Sequence, residues 1–475
     1  MIFEQYELGC LSQFSYLIGD ESTGRAVVVD PQRDVGQYLD DAATHGLTIE
    51  RVIETHFHAD FLSGHLELAD ATGAVISFGP GAEAEFPIEN LSDGQRLSLG
   101  TVELEVRHTP GHTPESISIV VRPDGPDGAP WAVLTGDALF IGDVGRPDLL
   151  TSIGWTADDL ARKLFRSLHD QLLTLPDEVV VFPAHGAGSA CGKNLSTANR
   201  STIGEQRRTN PALSPMTEDQ FVEAVTSGQP VAPPYFVFAA TTNRRDRDLL
   251  DEDAPVPRLS VEEALRRVDS GAVVIDGRDS EAFAVGHLRG AVNVGLDGRF
   301  AEYAGDVVRP GQEVIVVTDP GREDEARIRL ARIGFDDVVG TVEDLDGVLA
   351  SHLGLVGVAE RLTPEDARAR LEGDPSVQVV DVRNPGETVG GMLPGAVNVP
   401  LARLLDTLVP LDGGPDGGSE GSTDDVTLDP ERPTLVYCAG GYRSSVAASL
   451  MRSRGFADVV DVIGGYDAVA QLTAV

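Results

Sequence analysis

Two short stretches bring together side chains with chemistry to offer. The first is His56-Phe57-His58-Ala59-Asp60. It follows an apolar run, Arg51-Val52-Ile53-Glu54-Thr55, that reads as a strand ending at the motif. Two imidazoles and a carboxylate delivered by one strand end converge on a point, which is how a mononuclear or dinuclear metal centre is assembled. Three further groups complete the pattern: His112 in Thr109-Pro110-Gly111-His112-Thr113, Asp137 in Thr135-Gly136-Asp137, and His185 in Pro183-Ala184-His185-Gly186. The second stretch is Tyr437-Cys438-Ala439-Gly440-Gly441-Tyr442-Arg443-Ser444, between a strand (Thr434-Leu435-Val436) and a helix expected from Ser445 to Arg452. Backbone N–H groups and the helix dipole aimed at a sulfur in such a turn lower the thiol pKa, and Arg443 adds positive charge. The result is a nucleophilic thiolate able to carry a second sulfur as a persulfide. Its outer sulfur would be cradled by the loop residues Ala439, Gly440, Gly441, Tyr442 and Ser444.

The elements that must position these groups fall into two kinds. From residue 1 to 245, short strand-like runs (Ala26 to Asp30, Val102 to Val106, Val179 to Phe182) alternate with Gly and Pro turns and with helix-like stretches such as Ala157 to Leu173. That pattern suits an αββα sandwich with the metal ligands on loops at one sheet edge. A charged, Pro-containing stretch at 246–258 reads as a linker. The remainder is an internal repeat, 259–355 and 360–475. Asp276-Gly277-Arg278 recurs as Asp381-Val382-Arg383, and Gly290-Ala291-Val292-Asn293 recurs at the same spacing as Gly395-Ala396-Val397-Asn398. Each copy opens with a helix cap (Ser260 with Glu263, Thr363 with Asp366) and then alternates buried strands with helices, implying two small α/β domains with parallel sheets. The second copy is longer because of a Gly/Asp/Ser-rich insertion at 411–432, expected to be a disordered surface loop. The chain is therefore read as an α/β multidomain protein.

Bulk properties agree. At 475 residues the prior is about three domains. The net charge of −39, with Lys163 and Lys193 the only lysines, repels phosphate backbones and excludes nucleic acid as a partner. Its plainest reading is a solubility adaptation. Three cysteines lie far apart (Cys10, Cys191, Cys438), so a reducing compartment fits. No apolar run is long enough to span a membrane, and the start of the chain lacks the basic and apolar regions of a signal peptide. The expected address is the cytoplasm, and the expected assembly a homo-oligomer.

In the order and content of its four motifs, the first half of the chain resembles the metallo-β-lactamase superfamily. The dinuclear zinc hydrolases of that superfamily carry His-x-His-x-Asp-His, whereas Phe61 stands here in place of the last His, a ligand of the second metal. A mononuclear site fits better, and the one-iron branch is that of the persulfide dioxygenases. The resemblance implies Fe(II), one per chain, held by His56, His112 and Asp137. His58, Asp60 and His185 would lie around them and orient the ligands and bound water or O2. Two imidazoles and a carboxylate leave a face open for a sulfur substrate and for O2 as co-substrate. Arg146, in Gly145-Arg146-Pro147-Asp148, could pair with a carboxylate of the thiol. Cys191, six residues after His185, could relay sulfur, and His65 is read as structural.

The two repeats resemble rhodanese domains, through the Asp-x-Arg strand end, the Gly-x-x-x-Gly-Ala-x-Asn signature and the six-residue loop at Cys438. The first copy runs Val314 to Gly321 where the second has its Cys loop, and holds no cysteine. It is read as an inactive spacer or docking domain. The two resemblances share a chemistry if the substrate is sulfane sulfur. The expected function is oxidation of a low-molecular-weight thiol persulfide (glutathione, coenzyme A, mycothiol or bacillithiol) to sulfite plus thiol. Cys438 and Arg443 would interconvert sulfite and persulfide with thiosulfate and thiol, in sulfide detoxification. One alternative is a zinc thioesterase of the glyoxalase II kind fused to rhodanese, against which Phe61 argues. Another is a non-oxidising sulfur relay or sensor, against which the complete set His56, His112 and Asp137 argues.

Overall fold

Runs of β-branched residues closed by Gly, Asp or Pro become strands throughout the first part of the chain. The structure, a computed structural model, describes residues 1–149, 154–408 and 426–473. It divides into two units: Met1–Pro230 with Phe236–Glu252, and Val231–Tyr235 with Asp253–Val475.

The first unit contains two six-stranded sheets. One runs in the order Ile2–Leu8, Gln13–Asp20, Arg25–Val29, Thr48–Ile53, Val75–Phe78, Glu89–Asn90. The other runs Ser201–Thr202, Val180–Pro183, Ala132–Gly136, Ile117–Arg122, Glu103–His108, Arg96–Ser98. The two-residue period of a strand decides what lies between them. Val27 and Val29 join Ile119, Val121 and Leu134 in the core between the sheets. Their neighbours Ala26 and Val28 face the other way, against Tyr38, Ala42 and Leu68. In the second sheet Val120 and Val133 pack outward on Ala161 and Leu164 of the helix Ala157–Ser167. The layers are therefore helix, sheet, sheet, helix, as the alternating pattern implies.

Local boundaries differ in ways that matter. The helix read over residues 157–173 is α-helical only to Ser167 and closes with a wider turn at Leu168–Leu172. The strand before the histidine motif ends at Ile53, freeing Glu54 and Thr55 to turn their side chains into the site. The expected linker at 246–258 is corrected in its first half. Arg247 pairs with buried Glu67 at 2.6 Å, and Glu252 accepts from the N–H groups of Val35 and Gly36 at the start of the helix Gly36–Thr44. At Arg247 the charge signals pairing rather than a free tether, because the buried Glu67 carboxylate needs a cation.

The second unit holds two five-stranded parallel sheets with one strand order. Numbering the strands of each repeat by sequence, both read 1-5-4-2-3. The first is Arg258–Leu259, Val338–Val342, Val314–Val317, Val273–Asp276, Val292–Asn293. The second is Arg361–Leu362, Val459–Val462, Thr434–Tyr437, Gln378–Asp381, Ala396–Asn398. Ser260 and Thr363 cap their helices as read, accepting from the N–H groups of Glu263 and Asp366. The repeated motif residues form one brace in both copies. Arg278 grips Asp276, and Asn293 Nδ2 donates to the carbonyls of both. Arg383, Asp381 and Asn398 do the same. Of the insertion at 411–432, residues 411–425 lie outside the described residues. Among the described residues no helix is long and apolar enough to cross a membrane.

Candidate metal centre and sulfur-transfer loop

Every group of the first motif set sits just past a strand end. His56 follows Thr48–Ile53, His112 lies between Glu103–His108 and Ile117–Arg122, and Asp137 and His185 follow Ala132–Gly136 and Val180–Pro183. Gly111, at φ 150°, lets the His112 loop approach the helix Ala157–Ser167, for a Cβ there would come within 2.4 Å of the Leu164 backbone. His56, His112 and Asp137 are buried and offer three donor atoms within 4.8 Å of one another. His112 Nε2 is 3.5 Å and His56 Nε2 3.9 Å from Asp137 Oδ2.

Hydrogen bonds fix which atom each residue presents. His56 Nδ1 is 3.0 Å from the Thr55 hydroxyl, which itself donates to Asp30 Oδ2 at 2.8 Å. His112 Nδ1 donates to the Arg146 carbonyl at 2.9 Å. Both rings therefore turn Nε2 inward as a lone pair, the tautomer a metal ligand needs. Burial pushes both rings below the ordinary histidine range, which keeps them neutral. Asp137 Oδ1 takes His185 Nδ1 at 2.7 Å, and His185 Nε2 is held by Asp60 at 2.7 Å. Burial opposes a charge on His185, yet the Asp137 and Asp60 carboxylates carry it up to about 10. Burial also works against the Asp137 carboxylate, but His185, His112 and His56 hold it well below the usual carboxylate range. His56 Nε2 and Asp137 Oδ2 are buried without a hydrogen-bond partner. Two orphaned donors converging on a third, a neutral imidazole, fit a metal ion.

Cys438 follows directly on Thr434–Tyr437, and the helix Tyr442–Ser453 starts three residues earlier than the pattern suggests. Gly441, at φ 95°, turns the chain so that its N–H donates to Cys438 Sγ at 3.1 Å, and Ser444 Oγ lies 3.7 Å from the sulfur. The Cys438 and Ala439 carbonyls are tied by the N–H groups of Tyr466 and Asp467. By sheet register Thr318 of the first repeat stands where Cys438 stands in the second. Its loop keeps a positive-φ glycine, Gly321, but no thiol.

Comparison with known proteins follows these divisions. Residues 8–185 match the model of the metallo-beta-lactamase superfamily, and residues 260–344 and 363–472 match that of the rhodanese-like domain. Human persulfide dioxygenase ETHE1, mitochondrial, is 30% identical over 239 residues, covering 49% of this chain and 83% of that protein. An uncharacterized protein of Mycobacterium leprae is 33% identical over 239 residues, covering 45% of this chain and 99% of its own length. The crystal structure of a metallo-beta-lactamase from Staphylococcus aureus subsp. aureus COL aligns with a TM-score of 0.66 at 33% identity, covering 72% of this chain and 99% of that one. The chain belongs to the metallo-beta-lactamase superfamily. Its superfamily domain has persulfide dioxygenases among its homologues, and rhodanese-like domains follow in the same chain.

Within the metallo-beta-lactamase domain, Phe61 is fully buried with its ring 4.4 Å from that of His58. His58 Nε2 lies 3.1 Å from Asp30 Oδ1 and 3.5 Å from Glu54 Oε2. Burial disfavours its charge, but these two carboxylates raise its pKa well above the ordinary value, so His58 balances buried acid. His65 joins the same group, 3.2 Å from Glu54, which fits its structural reading. Cys191 is placed beside Asp60 and His185, but it is 1% exposed and burial pushes its thiol up. Burial that keeps the thiol protonated makes it a poor nucleophile, so this geometry does not favour a sulfur relay. The Arg146 fork is committed to Asp148 (2.7 Å twice) and to the Ala190 carbonyl, so it is not at hand for a substrate carboxylate. Arg443 is likewise gripped by Glu387 at 2.6 and 2.7 Å, so its charge beside Cys438 is shared with a carboxylate.

Three contributors escape the motif reading. Asp30 and Glu54 end strands on the histidine side, and Asp30 holds φ 50°, unusual for a residue with a Cβ. Their signal is an acid closing an apolar run. Asn243 gives none, being far away in sequence. It donates to the His58 and Phe61 carbonyls (2.9 and 2.8 Å) and accepts from the Ser63 N–H (3.0 Å), clamping the motif loop. Asn243→Ala should lower stability by about 2–4 kcal/mol, roughly 1 kcal/mol per bond, with metal content falling in parallel. Urea titration with metal analysis checks this, and unchanged values for both would show that the loop holds without the clamp.

Proposed function

We propose that this chain is an iron-dependent persulfide dioxygenase fused to a sulfurtransferase. One observation carries the reading: three inward donors, His56 Nε2, His112 Nε2 and Asp137 Oδ2, lie close together, while Phe61, packed on His58, supplies no ligand to a second metal. Relatives named persulfide dioxygenase and rhodanese-like domains in the same chain support it. The substrate is a thiol persulfide of the glutathione, coenzyme A, mycothiol or bacillithiol type. One persulfide, one O2 and one water give one thiol, one sulfite and two protons. The S–S bond breaks, the terminal sulfur is oxidised from 0 to +4, and O2 takes the four electrons. Bound Fe(II) supplies the redox chemistry with O2 that zinc lacks.

The protein's share is orientation and charge. Thr55 and the Arg146 carbonyl hold the Nδ1 protons of His56 and His112, so both Nε2 lone pairs stay aimed at one point. The Asp60–His185 pair occupies Asp137 Oδ1 and leaves Oδ2 for the site. At the other centre the Cys438 thiolate attacks the outer sulfur of a persulfide, releasing thiolate and forming Cys438 persulfide. Sulfite then takes that sulfur as thiosulfate and the Cys438 thiolate returns. The Gly441 N–H steadies the sulfur in each form. The same steps run backward from thiosulfate. Covalent linkage of the two centres raises the concentration of one product at the other.

The test is O2 uptake by anaerobically purified, Fe(II)-loaded protein on addition of glutathione persulfide, with sulfite and thiosulfate quantified together. Rapid uptake with both oxyanions appearing is expected. No uptake with any of the four thiol persulfides, in protein shown to hold iron, would reject the dioxygenase and favour a zinc thioesterase or a sulfur relay.

A further inference from the structure

The helix that follows Cys438 is not seated by its own repeat alone. Tyr442, Ser445 and Ser449 are spaced i, i+3, i+7 and so share one face. Each is held by the first repeat, the one without a thiol. The Tyr442 hydroxyl donates to the Gly295 carbonyl at 2.5 Å. Its ring lies against Gly298, where a Cβ would come within 2.6 Å of the ring carbons. Ser445 Oγ donates to Asn293 Oδ1 at 2.8 Å, and the Asn293 N–H donates to Ser449 Oγ at 2.9 Å. The Tyr303 ring, also of the first repeat, lies 5.4 Å from that of Tyr442.

These contacts are directional. Asn293, Ser445 and Ser449 are all buried, and a buried polar group that loses its partner is penalised. The Asn293 carboxamide has no slack, because its Nδ2 is already spent on the Asp276 and Arg278 carbonyls. Gly441, whose N–H reaches Cys438 Sγ, is joined directly to Tyr442. Displacing the Tyr442 ring therefore displaces the sulfur's nearest donor.

We propose that the first repeat is the positioning half of the Cys438 site. Asn293, Gly295 and Gly298 set the Tyr442/Ser445/Ser449 face of the helix, and through it the Gly441 N–H against the sulfur. The inference rests on Cys438 as the sulfur carrier, but one of its readouts needs no turnover. The positioning residues are tested in the full chain with Gly298→Ala, which crowds the ring, and Tyr442→Phe, which removes only the hydroxyl. The readouts are the pH profile of Cys438 alkylation by iodoacetamide, followed on its own peptide, and steady-state sulfur transfer from thiosulfate to cyanide. We expect kcat to fall roughly 3- to 10-fold in Tyr442→Phe, the equivalent of one net hydrogen bond, and further in Gly298→Ala. KM for thiosulfate should stay within about twofold, and the alkylation midpoint should rise in both variants, since a lost donor weakens the thiolate. Unchanged kcat and midpoint in both folded variants would overturn the inference and reduce the seam to packing. Should Gly298→Ala fail to fold, Tyr442→Phe decides alone. If the unaltered protein transferred no sulfur yet the midpoint rose in the variants, positioning would stand and the carrier reading would fall.

Discussion

His56→Ala should abolish O2 uptake on persulfide while sulfur transfer at Cys438 continues at its normal rate. The ring supplies one of three inward donors, and its Nε2 has no other partner. Removing it leaves His112 and Asp137, a pair too few to hold a divalent ion in a defined geometry. Loss of a group that merely supports a ligand typically costs 10–100-fold in affinity or activity, so loss of a ligand itself should exceed about 100-fold. The Thr55 hydroxyl and Asp30 remain paired with each other, so the fold around the vacancy should survive. Iron per chain, O2 consumption and thiosulfate–cyanide transfer measured on one preparation give the answer. A variant that kept its iron and its O2 uptake would refute the ligand assignment.

Cys438→Ser should have the reciprocal outcome. Serine is close in size and can keep the contact with the Gly441 N–H, so folding should be preserved. Its hydroxyl is a far weaker nucleophile at neutral pH and forms no persulfide. Sulfur transfer should fall by at least about 1,000-fold, the scale on which removing a nucleophile acts in other covalent enzymes. O2 uptake should be unchanged and sulfite should accumulate in place of thiosulfate. If thiosulfate still formed from persulfide at the original rate, Cys438 would be idle in that reaction.

The clustering of chemically uncommon residues at strand ends is legible in the sequence, whereas the choice of His56, His112 and Asp137 as a ligand set follows from the family resemblance. His56, His112 and Asp137 lie in three different loops yet meet within 4.8 Å. The layered architecture was legible as well: alternation at Val27, Val28 and Val29 sorts them to opposite faces. Pairing of charges was not legible. In sequence Arg146 and Arg443 stand as free cations, but Asp148 and Glu387 take them, and Glu387 lies 56 residues from its partner. The linker expected at 246–258 misses the Arg247–Glu67 pair for the same reason, since sequence shows that a residue is charged but not whether an opposite charge lies against it. Asn243 was invisible because an amide gains its role only from the two carbonyls it happens to face.

The paired braces, Asp276–Arg278–Asn293 and Asp381–Arg383–Asn398, are alike in every bond described, although only one repeat has a nucleophile. The brace thus does not depend on the nucleophile, although its Asn293 in the first repeat also bonds Ser445 and Ser449 of the second. A duplicated copy held in shape by its brace is free to drift at the position of Thr318 without losing its outline. It can exchange reactivity for a new duty while its sheet stays intact.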